Sequence, residues 1–253
     1  MKITFLGTGT SQGVPMIGCE CEVCTSQNPK DKRLRTSVLI QHDNHNIVID
    51  TGPDFRQQML RENVKHLDAV VMTHEHKDHI SGMDDVRAYN YLQNKPMDVY
   101  ATSRVQEALK REFHYAFSGD NYPGIPKLKL HTITEIPFEL FGLRFTPIEV
   151  KHMHLPVFGF RVGDFTFITD ANFIADGEKK KIAGSKVIVL NALRKEKHVS
   201  HFTLDEAVAL MNEFKPERGY FVHISHQLGL HDVVNSSLPY GIGCAYDGLT
   251  IEV

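Results

Sequence analysis

The sequence predicts an α/β protein built on two β-sheets, and three observations carry that reading. Strand-like alternation opens the chain at Ile3 and Phe5 and recurs in the apolar segments 38–40, 47–49, 68–72 and 97–101, with helical patterns among them. A second run of strand-like alternation, from Lys127 to Thr169, is expected to build the other sheet. The third observation is chemical: Thr73-His74-Glu75-His76-Lys77-Asp78-His79 follows directly on the apolar run Asp68-Ala69-Val70-Val71-Met72.

At 253 residues the chain is long enough to bury a full two-layer core, and with no internal repeat, low-complexity tract or linker it is expected to form one domain over residues 1–253. A net charge of −3 and the lack of a long basic block argue against tight, nonspecific nucleic-acid binding, and leave a nucleic acid as the less favoured partner. Lys179 to Lys181 and Lys195 to Lys197 read as solvated faces. With no apolar signal segment and no stretch of membrane-spanning length, the expectation is a cytoplasmic protein with no membrane partner.

The first strand, Met1 to Leu6, runs into a loop of small residues, Gly7-Thr8-Gly9-Thr10-Ser11-Gln12-Gly13, whose glycine spacing matches neither the dinucleotide fingerprint nor a P-loop. Three of the four cysteines follow at Cys19, Cys21 and Cys24. Neighbours this close are poorly placed for disulfides with one another, so a zinc site is the better reading. Three thiolates leave a tetrahedral ion one donor short, and the fourth must come from elsewhere. Cys244, among Gly243, Ala245 and Tyr246, reads as a small core residue, although it or water remains an alternative fourth donor.

Segments 38–40 and 47–49 form a hairpin across Asp43-Asn44-His45-Asn46, and the second strand ends in Asp50. Phe55 to Asn63 is helical, and the next strand delivers the histidine cluster. His, His, Asp and His make a nitrogen and oxygen donor set that suits zinc, manganese or iron better than calcium and lacks the thiolates of a purely structural zinc site. Helices are expected from near Ser81 and near Ser103, with a strand from Met97 to Ala101 between them.

His-x-His-x-Asp-His after an apolar strand resembles the metal signature of the metallo-β-lactamase superfamily. That resemblance implies a four-layer αββα sandwich with one or two metal ions at one edge. The superfamily hosts hydrolysis of lactams, lactones, thioesters and phosphodiesters, so the signature fixes machinery and leaves the substrate open. The loop Gln12-Gly13-Val14-Pro15 leading to Gly18-Cys19-Glu20-Cys21-Glu22-Val23-Cys24 is similar to the PhnP-type branch, which hydrolyses cyclic phosphodiesters. By that resemblance, in His223-Ile224-Ser225-His226, His226 completes the structural zinc site with Cys19, Cys21 and Cys24, and His223 belongs to the catalytic one. Asp50 resembles the carboxylate that orients a ligand beneath the metals. Compared with the PhnP-type pattern the segment 84–125 is longer, which implies a wall of the active site.

Within the second strand run, Lys151-His152-Met153-His154 supplies a third imidazole; the resemblance favours His152 and leaves His154 as the alternative. Asp170, after the apolar strand Phe165 to Thr169, matches the superfamily's bridging carboxylate. Lys186 to Leu193 is a further strand. Thr203 followed three residues on by Glu206 is a capping box that defines a helix start, and His201 just before it matches the histidine expected to assist phosphodiester cleavage. Arg218 to Ile224 is a final core strand and Leu249 to Val253 closes an edge; His231 has no assignment.

Together the resemblance implies two catalytic divalent metals, manganese or zinc, with His74, His76 and His152 on one, Asp78, His79 and His223 on the other, and Asp170 between them. A metal-bridged hydroxide would then attack a small phosphodiester such as a phosphoribosyl 1,2-cyclic phosphate or a 2′,3′-cyclic nucleotide, with His201, Asp170 and Asp78 as the catalytic residues. A homodimer is compatible with the same kinship. Three alternatives stand beside it: an RNase Z-type tRNA 3′ endonuclease, because His201-Phe202-Thr203 also resembles that family's motif; a lactonase or thioesterase on the same fold; and a noncatalytic, zinc-stabilised binding protein.

Overall fold

The structure, a computed structural model, describes residues 1–119 and 122–253. In chain order the first half carries β1 (Lys2–Gly7), α1 (Glu22–Thr25), β2 (Ser37–His42), β3 (His45–Ile49), α2 (Phe55–Arg61), β4 (Ala69–Val71), α3 (Lys77–Ile80), α4 (Arg87–Gln93), β5 (Met97–Ala101) and α5 (Ser103–Glu112). The second half adds β6 (Leu128–Thr132), β7 (Phe138–Leu140), β8 (Leu143–His152), β9 (Leu155–Val162), β10 (Phe165–Phe167), β11 (Phe173–Ile174), α6 (Asp176–Ile182), β12 (Val187–Asn191), α7 (Leu204–Phe214), β13 (Arg218–Val222), α8 (His231–Ser236), β14 (Ile242–Cys244) and β15 (Thr250–Glu252).

These strands form two sheets, ordered β15-β1-β2-β3-β4-β5-β6 and β11-β8-β9-β10-β12-β13-β14, with β7 paired to β8. Period-two alternation decides the layers. Val38 and Ile40 of β2, Ile47 and Ile49 of β3, and Phe165 and Phe167 of β10 share one core between the sheets. Leu39, Val48 and Val70 point the other way, into a second core with Phe55 and Met59 of α2 and Val105 and Leu109 of α5. Ile188 and Leu190 of β12 meet Ala207 and Met211 of α7 in a third. Helix, sheet, sheet and helix are therefore stacked as the αββα sandwich.

Two sequence expectations need correction. The run 127–169 does not all enter the second sheet, because β6 pairs in parallel with β5, Met97 opposite Leu128, and extends the first sheet. Parallel neighbours need a long crossover, and the segment containing α5 supplies it. Nor does one helix begin at Ser81: α3 stops and a 3-10 turn, Met83–Val86, precedes α4. Gly82 sits where an added Cβ would lie 2.2 Å from the Gly52 carbonyl oxygen, and its N–H donates to Thr51 O at 2.8 Å, so the backbone is pinned there.

Of the segment 84–125, residues 120 and 121 lie outside the described residues. The rest includes α4, β5 and α5, so much of it is scaffold for the first sheet. No helix of the described residues is long and apolar enough to cross a membrane.

Candidate metal centres

The histidine cluster forms because β4 ends in the core and the chain turns at once into α3. His74 lies beyond the strand end, and His79, on the inward side of α3, is fully buried with it. Asp170 follows β10, His223 follows β13, His152 ends β8, and His201 lies just before α7. The α7 junction is fixed by the expected capping box, in which Thr203 and Glu206 exchange hydrogen bonds. Asp50, Asp170 and His223 all adopt left-handed backbone conformations, with φ of 64°, 52° and 56°. Such conformations cost about 1–3 kcal/mol each in non-glycine residues and collect at functional sites.

Hydrogen bonds choose the tautomer of three imidazoles. Asp50 Oδ2 accepts from His79 Nδ1 and from Thr73 Oγ1, each at 2.7 Å, while Asp50 Oδ1 accepts from Thr73 N at 2.8 Å. With its hydroxyl proton committed to Asp50, Thr73 Oγ1 accepts from His74 Nδ1 at 2.9 Å. His152 Nδ1 donates to Ser200 O at 2.8 Å. Each ring thus spends Nδ1 as its donor within the protein and leaves Nε2 as the nitrogen that a metal would take in place of a proton. His74 Nε2, His79 Nε2, His201 Nδ1 and His223 Nδ1 are buried and make no hydrogen bond among the described residues.

The donor atoms gather in three overlapping groups, each within 4.8 Å: Asp78, His79, Asp170 and His223; His74, His76 and Asp170; and His152, Asp170 and His201. Asp170 belongs to all three. His79 Nε2 is 3.2 Å from Asp78 Oδ2 and 3.1 Å from Asp170 Oδ2, His223 Nδ1 is 3.2 Å from the same Asp170 oxygen, and the His76 and His152 rings are 5.1 Å apart. His154 is exposed in the β8–β9 turn and belongs to none of these groups, so His152 is the imidazole that reaches the cluster.

Electrostatics point the same way. Burial alone would raise the Asp170 carboxyl, but His223 and His79 hold it well below the usual carboxylate range. Burial opposes a charge on His79, yet Asp78, Asp170 and Asp50 raise its pKa well above the ordinary value. Burial, reinforced by His79, drives His74 well down. A buried set of carboxylates and unpartnered imidazole nitrogens is short of positive charge, and a divalent cation with nitrogen and oxygen ligands fits it.

The second cluster is local. Cys21 caps α1, accepting from Cys24 N, and Cys19, Cys21, Cys24 and His226 bring their donor atoms within 4.8 Å. His226 Nδ1 lies 3.5 Å from Cys19 Sγ and 3.3 Å from Cys21 Sγ. Its hydrogen bond is the main cause that lowers Cys21 to about 6, whereas burial lifts Cys24 to about 11. Three sulfurs and one nitrogen make a closed tetrahedral zinc set. Cys244 is buried beside α8, its N–H donating to Asn235 Oδ1, and is not part of it.

A model of the β-lactamase superfamily domain matches residues 45–224. The chain belongs to the β-lactamase superfamily. Within it the chain belongs to the PhnP family: the crystal structure of a new diphosphatase from that family is 40% identical, with a TM-score of 0.94 over 100% of this chain and 97% of that one. Zinc-bound PqqB from Methylobacterium extorquens shares the superfamily fold at 21% identity, with a TM-score of 0.79 and 100% of both chains covered. An octanoyltransferase of Porphyromonas gingivalis is 38% identical over 252 residues, which are 98% of this chain and 51% of that protein; the chain spans about half the length of this relative. The superfamily implies divalent metal binding.

Sequence reasoning missed Thr73 and Ser200, which orient His74 and His152. The place of Thr73, directly before the first histidine, was the available signal; the Ser200 contact runs through a backbone carbonyl and leaves no trace in residue type.

Proposed function

We propose that this protein is a divalent-metal-dependent hydrolase of small phosphodiesters, cyclic ones included. The observation that carries the reading is Asp170, one buried carboxylate common to three convergent donor groups. In this reading His74, His76 and His152 hold one ion, Asp78, His79 and His223 a second, and Asp170 both. Such ions supply an acidified water and polarise the phosphoryl oxygens. Asp50 orients His79 directly and His74 through Thr73, and the Ser200 carbonyl fixes His152. His74, His79, Asp170 and His223, each 2% exposed or less, form a dry floor on which charge is weakly screened. His201, with Nε2 3.9 Å from Asp170 Oδ1, donates its ring N–H to the departing oxygen or to a phosphoryl oxygen. Cys19, Cys21, Cys24 and His226 hold one structural zinc.

A second reading, cleavage of a diphosphate, is favoured by the 40% identical PhnP-family diphosphatase, since both linkages present a doubly substituted phosphorus. A pre-tRNA fits less well. The net charge is −3, and within the basic runs Lys179 pairs with Glu213, Lys181 with Glu178 and Lys197 with Glu206, so these runs offer a polyanion little grip.

The test is turnover by wild type and Asp170→Ala, loaded with manganese or zinc. The substrates are a 2′,3′-cyclic nucleotide, bis(p-nitrophenyl) phosphate, a nucleoside diphosphate, a pre-tRNA and a lactone. Hydrolysis of the diesters that vanishes in Asp170→Ala is expected. Turnover of the diphosphate alone replaces the first reading by the second, and opening of the lactone alone defeats both.

A further inference from the structure

On the sandwich edge formed by β13, β14 and the segment leading into β15 lies an open cleft of about 340 Å³. Its lining includes Lys30, Arg218, Tyr220, His231, Gly243 and Tyr246, none of which belongs to either donor cluster.

His231 is 4% exposed, and its ring chemistry is decided by a neighbour. Nδ1 lies 3.1 Å from Arg33 Nη2, and a guanidinium cannot accept, so Nδ1 is the acceptor and the ring proton sits on Nε2. That Nε2–H has no hydrogen-bond partner among the described residues. It is not one of the buried polar atoms sealed from solvent either, and His231 lines the cleft. Arg33 in turn is held by Thr8 Oγ1 at 2.8 Å and Ala245 O at 2.6 Å, so the imidazole is braced from behind.

Two cations share the cleft. Lys30 Nζ stands 5.0 Å over the Tyr246 ring, and Arg218 Nη2 donates to Glu252 O at 2.5 Å; among the described residues neither has a carboxylate partner. The acidic side chains nearest His231 are engaged elsewhere: Asp31 accepts from His231 N and Ser26 Oγ, and Asp232 accepts from Asn28 Nδ2. Tyr220 and Tyr246 give two aromatic surfaces. At Gly243 an added Cβ would stand 2.9 Å from Asn235 Oδ1, so that part of the wall carries no side chain.

We infer that this cleft is a second ligand site, separate from the metal clusters, that takes a small phosphate-bearing molecule with a planar ring. Three donors of different geometry, an ammonium, a guanidinium and an imidazole N–H, match the several terminal oxygens of a phosphate better than the two of a carboxylate. The tyrosines offer the ring a stacking surface. The volume lies in the range of small-molecule sites.

The probe is adenosine 5′-monophosphate, titrated calorimetrically into the full, metal-loaded chain beside adenosine and inorganic phosphate. Expected is a binding event that survives in Asp170→Ala and weakens at least tenfold in the double variant Lys30→Ala/Arg218→Ala. His231→Gln retains an acceptor for Arg33 and an N–H for the ligand, and should keep affinity within about threefold. His231→Leu should lose it; because that change orphans Arg33, the surface double variant provides the independent check. Binding abolished by Asp170→Ala and unchanged in the double variant would put the nucleotide at the metal cluster and overturn the inference. So would adenosine binding as tightly as the nucleotide, or no heat from any probe at millimolar concentration.

Discussion

The two donor clusters are built on opposite plans. The cysteine cluster draws three ligands from six consecutive residues around a four-residue helix and only His226 from afar. The histidine and carboxylate cluster collects its members from the ends of β4, β8, β10 and β13 and from the turn before α7, so it exists only when both sheets are stacked. In the first, three sulfurs and one nitrogen converge, the donor set of a closed structural zinc site. In the second, four buried ring nitrogens lack hydrogen-bond partners among the described residues and three residues sit in strained backbone, as the proposed division between a site kept for chemistry and one that staples a loop requires.

Substitutions that separate the plans should differ in kind. Asp170→Ala should lower diester hydrolysis by about 10³-fold or more, while the unfolding midpoint moves little. Cys24→Ser should do the reverse, lowering stability by about 4 kcal/mol in urea denaturation while the remaining folded enzyme keeps its turnover. Equal losses of activity and stability in both variants would show that the clusters do not divide the labour.

A pH series probes the buried charges beside the cysteine loop. Burial raises the Asp247 carboxyl from 3.8 to about 6, although Thr8 Oγ1 and Leu34 N both donate to it. Burial, helped by Arg33, lowers His231 from 6.5 to about 4. The folded carboxyl keeps its proton, so its contribution is present below pH 3.8 and is lost as pH rises through about 6. The folded imidazole refuses its proton, so its contribution is present above pH 6.5 and is lost as pH falls through about 4. The two slopes oppose each other in the wild type. Asp247→Asn should therefore gain about 3 kcal/mol of unfolding free energy between pH 4 and 6.5, and His231→Gln should lose about as much over the same range. Parallel curves for all three proteins would refute both assignments.

Smaller effects follow from residues that only orient. Asp50→Asn weakens the acceptor for His79 and Thr73 and should cost about 10–100-fold in metal affinity, measured by competition with a chelator. Thr203→Ala removes the cap that defines the start of α7 and should cost about 1 kcal/mol in thermal unfolding.

What could be read from the sequence follows the same division. His74, His76, Asp78 and His79 were legible because they are neighbours, as were Cys19, Cys21 and Cys24. Asp170, His152 and His223 have no local pattern that marks them as partners of His74, and they were reached through the family resemblance. Alternation showed which strands are half-buried but not which sheet each joins, so β6 was misassigned: its partner β5 lies some thirty residues away across α5. His231 stayed unread because its role depends on Arg33, which is 198 positions distant.

Elemental analysis of bound metal in wild type, Asp170→Ala and Cys24→Ser tests the division most directly. Three ions per chain are expected in the wild type; Asp170→Ala should retain one zinc, and Cys24→Ser should lose that zinc and keep two ions. A wild type that binds one ion, retained in Asp170→Ala and lost in Cys24→Ser, would contradict the catalytic centre and leave only the structural zinc.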